Sequence, residues 1–245
     1  MKQIYIQEKL KEIEFSLEHV ALGDFDQIGE FTAKKNRDPQ TDLYKNVGCF
    51  FRPNYERGIL LYALVTTFKI SKVLEIGTGR GYATFCMAKA MSDLGIEGKV
   101  TTVDPNLNQE FMQNLTKVFP QDWFSKIDFV HGTSEGFLKD TNDSYELIYI
   151  DGDHRYDAVL SDWNLTKDRY TKFLLFDDYH LPSKRQKDID CAAVIDEIDD
   201  ASKQLIIMDR RIFFDDRQIT DDDIDYGQVL LTHNSVRQDD YIMDW

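Results

Sequence analysis

Two hydrophobic periods run along this chain. Residues 4–22 place Ile6, Leu10, Ile13, Leu17 and Val20 at threes and fours, with lysine and glutamate between them. That spacing predicts one amphipathic helix, which Gly23 would end. Residues 24–57 keep no period and hold mixed polar stretches at 24–26, 34–41 and 46–53. A loop of that length is expected to act as a lid. Helical spacing returns over 58–68, through Ile59, Leu60, Tyr62, Ala63, Leu64 and Val65.

From residue 72 the pattern changes to short apolar runs, each followed by a helical stretch. The runs cover 72–76, 99–103, 127–130, 147–150 and 173–176. Helices are expected over 82–91, 107–119, 134–138, 156–169 and 189–201. Repeated β-α units predict a doubly wound, mostly parallel sheet of the α/β class. Runs at 205–208, 211–214 and 228–232 can supply the last strands of an expected seven-stranded sheet. Asp221, Asp222 and Asp223 read as an exposed turn between the last of these. The expected organisation is an N-terminal helical extension, residues 1–57, and one α/β domain, residues 58–245.

Composition narrows the partners. The 245 residues are 42% hydrophobic and 30% charged, an ordinary globular balance. A net charge of −15 repels phosphate backbones and anionic lipid, so neither nucleic acid nor membrane is an expected partner. Lys184-Arg185 and Arg210-Arg211 are short basic pairs, each soon followed by acids, and read as solvated surface. Cys49, Cys86 and Cys191 form no C-x-x-C pair, and their odd number argues against a disulfide framework. With no leader and no long apolar run read at the start, a cytoplasmic setting is expected. The helix over 4–22 is a candidate for packing on the core edge, capping a site or joining a homodimer.

Chemistry gathers where the runs end. Residues 73–84 read VLEIGTGRGYAT: a strand, a glycine-rich turn and a helix start. Gly77, Gly79 and Gly81 let the backbone turn sharply and let a ligand lie against it. A dinucleotide fingerprint needs glycine where Tyr82 stands, which disfavours a nicotinamide oxidoreductase, and a P-loop's terminal Gly-Lys-Ser/Thr is absent. Ligands of open parallel sheets sit beyond the carboxyl ends of the strands. Glu75, Asp104, His131, Asp151 and Asp177 all stand there. Asp104 can accept from ribose hydroxyls or cap the following helix. Asp151 and Asp177 end neighbouring strands, and Asp178 adds a third oxygen donor. Such a set suits Mg²⁺, or Mn²⁺ or Ca²⁺. His154, three residues after Asp151, is the natural general base near neutral pH, with His180 a second candidate. Its plainer role is a helix-terminal residue bonded to backbone. Asp153 would orient it or cap the helix.

The E-x-G-x-G-x-G string resembles motif I of the class I S-adenosylmethionine (SAM)-dependent methyltransferases. That resemblance implies a Rossmann-like methyltransferase fold in which Glu75, Gly77, Thr78, Gly79, Gly81 and Tyr82 hold the methionine part of SAM and Asp104 holds its ribose. Gly132, Thr133 and Ser134 resemble the Gly-x-Ser segment of small O-methyltransferases of the catechol type, which places Ser134 at the adenine. The string IDGDHRYDAV is similar to the macrocin O-methyltransferase-like group, and the resemblance covers residues 58–178. It implies Asp151, Asp177 and Asp178 as metal ligands, with Asp178 where the metal-dependent families carry Asn, and His154 as base. Asp151 also lies on the cofactor side. The expected function is metal-assisted O-methylation of a small hydroxylated acceptor such as a sugar, glycoside or phenol. A metal-independent O- or N-methyltransferase and a SAM-binding module without turnover are the rival readings.

Overall fold

A computed structural model describes residues 1–33, 55–184, 189–212 and 226–239. The chain opens with β1 (Lys2–Tyr5) and α1 (Ile6–Glu12), then a 3₁₀ turn at Leu17–His19 and α2 (Leu22–Ala33). The single helix expected over 4–22 is therefore three pieces. Glu14 takes a left-handed φ of 56° just past the end of α1, which stops the helix. Upstream, residues 2–5 pair in parallel with a strand near the other end of the chain. Gly23 lies inside α2 and stops nothing, and residues 24–33, expected to be irregular, are helical. The rest of the lid-like stretch, residues 34–54, lies outside the described residues.

Helix α3 (Tyr55–Thr67) begins before the expected division at 57/58. Then follow β2 (Lys72–Ile76), α4 (Tyr82–Asp93), β3 (Lys99–Asp104), α5 (Gln109–Leu115), α6 (Gln121–Ser125) and β4 (Ile127–His131). The helix expected over 107–119 is shorter, and Pro120 caps a second one, α6. Next come α7 (Ser134–Leu138), β5 (Tyr145–Ile150), α8 (Tyr156–Thr166), β6 (Tyr170–His180) and α9 (Cys191–Glu197). β7 (Gln204–Ile207), β8 (Tyr226–Thr232) and α10 (Asn234–Asp239) complete the described chain. Of the strand expected at 211–214, residues 211–212 belong instead to a 3₁₀ turn, Arg210–Ile212, while 213–214 and the acidic triplet 221–223 lie outside the described residues.

The eight strands among the described residues form one sheet, ordered β1-β7-β8-β6-β5-β2-β3-β4, one more than the expected seven. The added strand is β1, at the far edge. From β4 to β6 every pairing is parallel, while β8 runs antiparallel to both β6 and β7. Helices cover both faces. Ile59, Leu60, Phe85 and Met87 of α3 and α4 are buried on one face, and Leu138, Val159 and Ile195 of α7, α8 and α9 on the other. Strand β2 shows the two-residue period: Val73 joins the first core, Leu74 and Ile76 the second.

At the carboxyl end of β2 two stretches of backbone approach closely. Gly77 has φ +92°, and a Cβ there would run into the carbonyl of Asp151 and stand 2.8 Å from Gly152 Cα. Only glycine meets both demands. We therefore expect Gly77→Ala to cost at least about 2 kcal/mol. Urea unfolding of the variant checks this, and an unchanged midpoint would contradict it.

Candidate active site

Four strand ends are laced together by backbone bonds. Gly77 N–H donates to the Val103 carbonyl (2.9 Å), Asp151 N–H to the Ile76 carbonyl (2.8 Å), and Gly132 N–H to the Asp104 carbonyl (3.2 Å). The Asp104 carboxylate shapes the turns around it. It accepts from Gly79 N–H (2.9 Å) and from Asn106 N–H (2.6 Å). Thr78 and Thr102 hydroxyls bond beneath the loop (2.6 Å). Gly81 begins α4 at φ 83°.

Above these ends lies a cavity of about 530 Å³. Gly77, Gly79, Asp104, Thr133, Ser134 and Asp151 line it, together with Ile76, Val103, Glu135, Asp153, Ala158 and Asp162. Among the described residues its wall carries five acids and no lysine or arginine. Glu75 is not part of that wall. It is 1% exposed and takes the Thr84 hydroxyl of α4. Burial pushes its carboxyl up to about 8, against the pull of bonds from Thr102 and Thr84. Thr78, Gly81, Tyr82 and Gly132 also stand off the wall. Thr133 is the N-cap of α7, accepting from Gly136 N–H at 3.0 Å.

The acids expected to hold a metal separate into two groups. Asp177 is 2% exposed and faces the protein. It takes Arg57 Nη1, the Tyr149 hydroxyl (2.7 Å) and Gln228 Nε2 (3.1 Å). Burial pushes its carboxyl up, but Arg57 and Tyr149 outweigh that and hold it low. Arg57 also reaches Asp151 Oδ2 at 2.9 Å. Asp178 turns the other way. Along β6 and β8, Asp177 and Asp178 together face Gln228, a bulge at which Asp178 takes a left-handed φ of 51°. Its Oδ2 lies 3.1 Å from His154 Nε2, and Asp151 Oδ1 lies 3.7 Å from the same nitrogen. Asp151, His154 and Asp178 can each aim one ligand atom within 4.8 Å of the others. The cluster thus keeps two of the three expected acids and takes His154 in place of Asp177.

Charge explains the protonation of this group. Burial alone would lower the His154 imidazole, but Asp151 and Asp178 raise it to about 9. Its charged pairing stabilises the fold fully below the ordinary value of 6.5 and is lost as pH rises past 9. Burial, then the neighbouring Asp177, pushes Asp178 up to about 7. His154 Nε2 is buried between the Asp151 and Asp178 carboxylates without a well-directed hydrogen bond. His180, the other candidate base, is buried beside Tyr226, with ring centroids 6.3 Å apart.

Arg57, Tyr149, Gln228 and Asp162 were not expected from sequence. The first three surround one buried carboxylate from α3, β5 and β8. Removing Arg57 would leave Asp177 charged and buried without its counter-ion. Arg57→Ala should cost about 3–5 kcal/mol, and adding Asp177→Asn should recover much of that. Chemical denaturation of the single and double variants checks this, and independent, additive costs would contradict it.

Residues 74–179, from β2 to the bulge of β6, match the family described as a methyltransferase domain. No protein of curated description matches the chain by sequence. Solved structures share its fold. A protein of Klebsiella pneumoniae, provisionally described as an O-methyltransferase, aligns with TM-score 0.55 and 15% identity over 93% of this chain and 95% of its own. The O-methyltransferase TomG of Streptomyces achromogenes, solved with SAM, aligns with TM-score 0.53 and 11% identity over 93% and 96%. A TDP-rhamnose 3′-O-methyltransferase of calicheamicin biosynthesis aligns with TM-score 0.51 and 15% identity over 86% and 93%. These identities speak for the fold, and the family match speaks for its central part. Residues 74–179 are thus similar to a methyltransferase domain, and the chain as a whole shares the fold of these solved structures.

Proposed function

We propose that this protein transfers the methyl group of SAM to a hydroxyl oxygen of a small molecule seated beside Asp151, His154 and Asp178. The acidic wall of the cavity carries this reading. Five carboxylates and no cation would repel a pyrophosphate cofactor, whereas the sulfonium of SAM is positive. Asp104, at the end of β3, is the acid available to ribose hydroxyls. Gly77 and Gly79 offer backbone on which the amino-acid part can lie. A structural neighbour solved with SAM, and another that acts on a TDP-rhamnose, support SAM as donor and a sugar or glycoside as one acceptor class. A phenol-like acceptor suits the same chemistry.

The reaction is an in-line displacement. The acceptor oxygen attacks the methyl carbon, the carbon–sulfur bond breaks, and its electron pair stays on sulfur as S-adenosylhomocysteine. Holding the two reactants in line supplies much of the rate. The hydroxyl proton has to leave, and His154 Nε2 is the nearest base to the acids that would orient the acceptor. As it stands the ring is protonated at neutral pH, because two carboxylates flank it. Asp151 and Asp178 offer carboxylate oxygens that fit a hard divalent cation such as Mg²⁺ by donor type, which would leave His154 Nε2 for the proton. Bound there, such an ion would acidify the acceptor hydroxyl and offset the carboxylates that keep His154 charged.

A metal-independent course of the same transfer is favoured by one observation: Arg57 already supplies a positive charge to Asp151 and Asp177. Incubation with methyl-¹³C SAM and a panel of hydroxylated glycosides and catechols, with and without EDTA, separates the two. We expect a ¹³C O-methyl product that EDTA suppresses and MgCl₂ restores. His154→Ala should lower kcat by about 100-fold or more. Turnover unaffected by EDTA would select the metal-independent course, and a product methylated on nitrogen would overturn the acceptor assignment.

A further inference from the structure

Arg57 does more than pair with one acid. Its Nη1 lies between two carboxylates, 2.9 Å from Asp151 Oδ2 and bonded to Asp177 Oδ2, with the Tyr149 hydroxyl 3.4 Å away. Three oxygens thus surround one nitrogen. The same hydroxyl lies 2.7 Å from Asp177 Oδ2 and 3.3 Å from Asp151 Oδ2. The other Asp177 oxygen, Oδ1, takes Gln228 Nε2 at 3.1 Å. Both oxygens of Asp177 are therefore engaged by protein donors. The group able to aim at a common ion holds Asp151, His154 and Asp178 and omits Asp177. Yet the hold of Arg57 is one-ended: its Nε is buried without a hydrogen-bond partner, so Nε and Nη1 form no fork on either acid.

We infer that Arg57 is a tethered cation in competition with a free divalent one: it fills the gap between Asp151 and Asp177, and an ion gains Asp177 as a ligand only when that side chain is displaced. This rests on the reading of Asp151 and Asp178 as a seat for such an ion. Charge and ligand number carry the argument. A guanidinium stays charged at any working pH, so it answers Asp151 and Asp177 permanently. With Arg57 in place, an ion can draw only on Asp151 and Asp178, and it shares Asp151 with a cation that repels it. Without Arg57, three carboxylates from the ends of β5 and β6 are open, and the affinity of an oxygen site rises with the charge of its ligands. Asp177 would then be buried and unanswered, so a bound ion would also restore the stability that Arg57 supplies.

Titration of the full chain with Mn²⁺, followed by the electron paramagnetic resonance signal of the free ion, tests this without SAM or acceptor. Arg57→Met should bind Mn²⁺ about 10-fold or more tightly than the native protein, and adding Asp177→Asn should abolish the gain. MgCl₂ should raise the thermal midpoint of Arg57→Met and move that of the native protein far less. Asp177→Asn alone keeps the shape of the buried group. It should change the native affinity only a few-fold, because Asp177 is no ligand while Arg57 is there. Equal affinities in the native protein and Arg57→Met would overturn the inference alone. So would a gain that survives Asp177→Asn, or a loss of about 10-fold or more in Asp177→Asn by itself. No Mn²⁺ binding by any of these proteins would overturn it together with the cation reading, and would leave the SAM reading standing.

Discussion

The contact between Gly77 and the backbone of Asp151 is the constraint on which the site depends. It brings the end of β2 against the end of β5 with no side chain between them. Gly77 N–H then reaches β3 through Val103, and Asp151 N–H reaches β2 through Ile76. Three strand ends become one rigid rim. Asp104 fastens the glycine loop to that rim by accepting from Gly79. The cavity above it has fixed walls because its floor is backbone bonded to backbone. Side chains on rigid elements hold position better than those on loops.

The second organising feature is the sorting of neighbouring acids. Asp177 and Asp178 are adjacent in sequence yet serve opposite sides. The bulge against Gln228 gives β6 one extra residue, so the alternation of a strand is broken there. Asp177 is sent inward to Arg57, Tyr149 and Gln228, and Asp178 outward to His154. Arg57 answers the buried charge, which leaves Asp151 shared between the two groups. The inner group is held together by an ion pair, the outer one by an imidazolium set between two carboxylates.

Much of this was legible in the sequence, for a physical reason. Acids directly after apolar runs mark the carboxyl ends of parallel strands, and Asp104, Asp151, Asp177 and Asp178 were found that way. The glycine turn was legible because alternate glycines leave few conformations unread. What was missed depends on distant partners. β1 has apolar residues that also fit a helical period, and it is a strand only because it pairs with β7, some two hundred residues on. Arg57 sits in the first turn of α3, and its partners are 94 and 120 residues away. No local spacing announces that. The bulge was hidden as well, because it arises from pairing with β8 and not from β6 itself.

The account turns on what the acidic cavity accepts. Equilibrium dialysis of tritiated SAM against the native protein, with unlabelled NAD⁺ and ATP as competitors, tests this most directly. The account predicts one saturable SAM site, emptied by S-adenosylhomocysteine and indifferent to NAD⁺ and ATP. Displacement of SAM by either phosphate-bearing nucleotide, or no SAM binding at all, would contradict it.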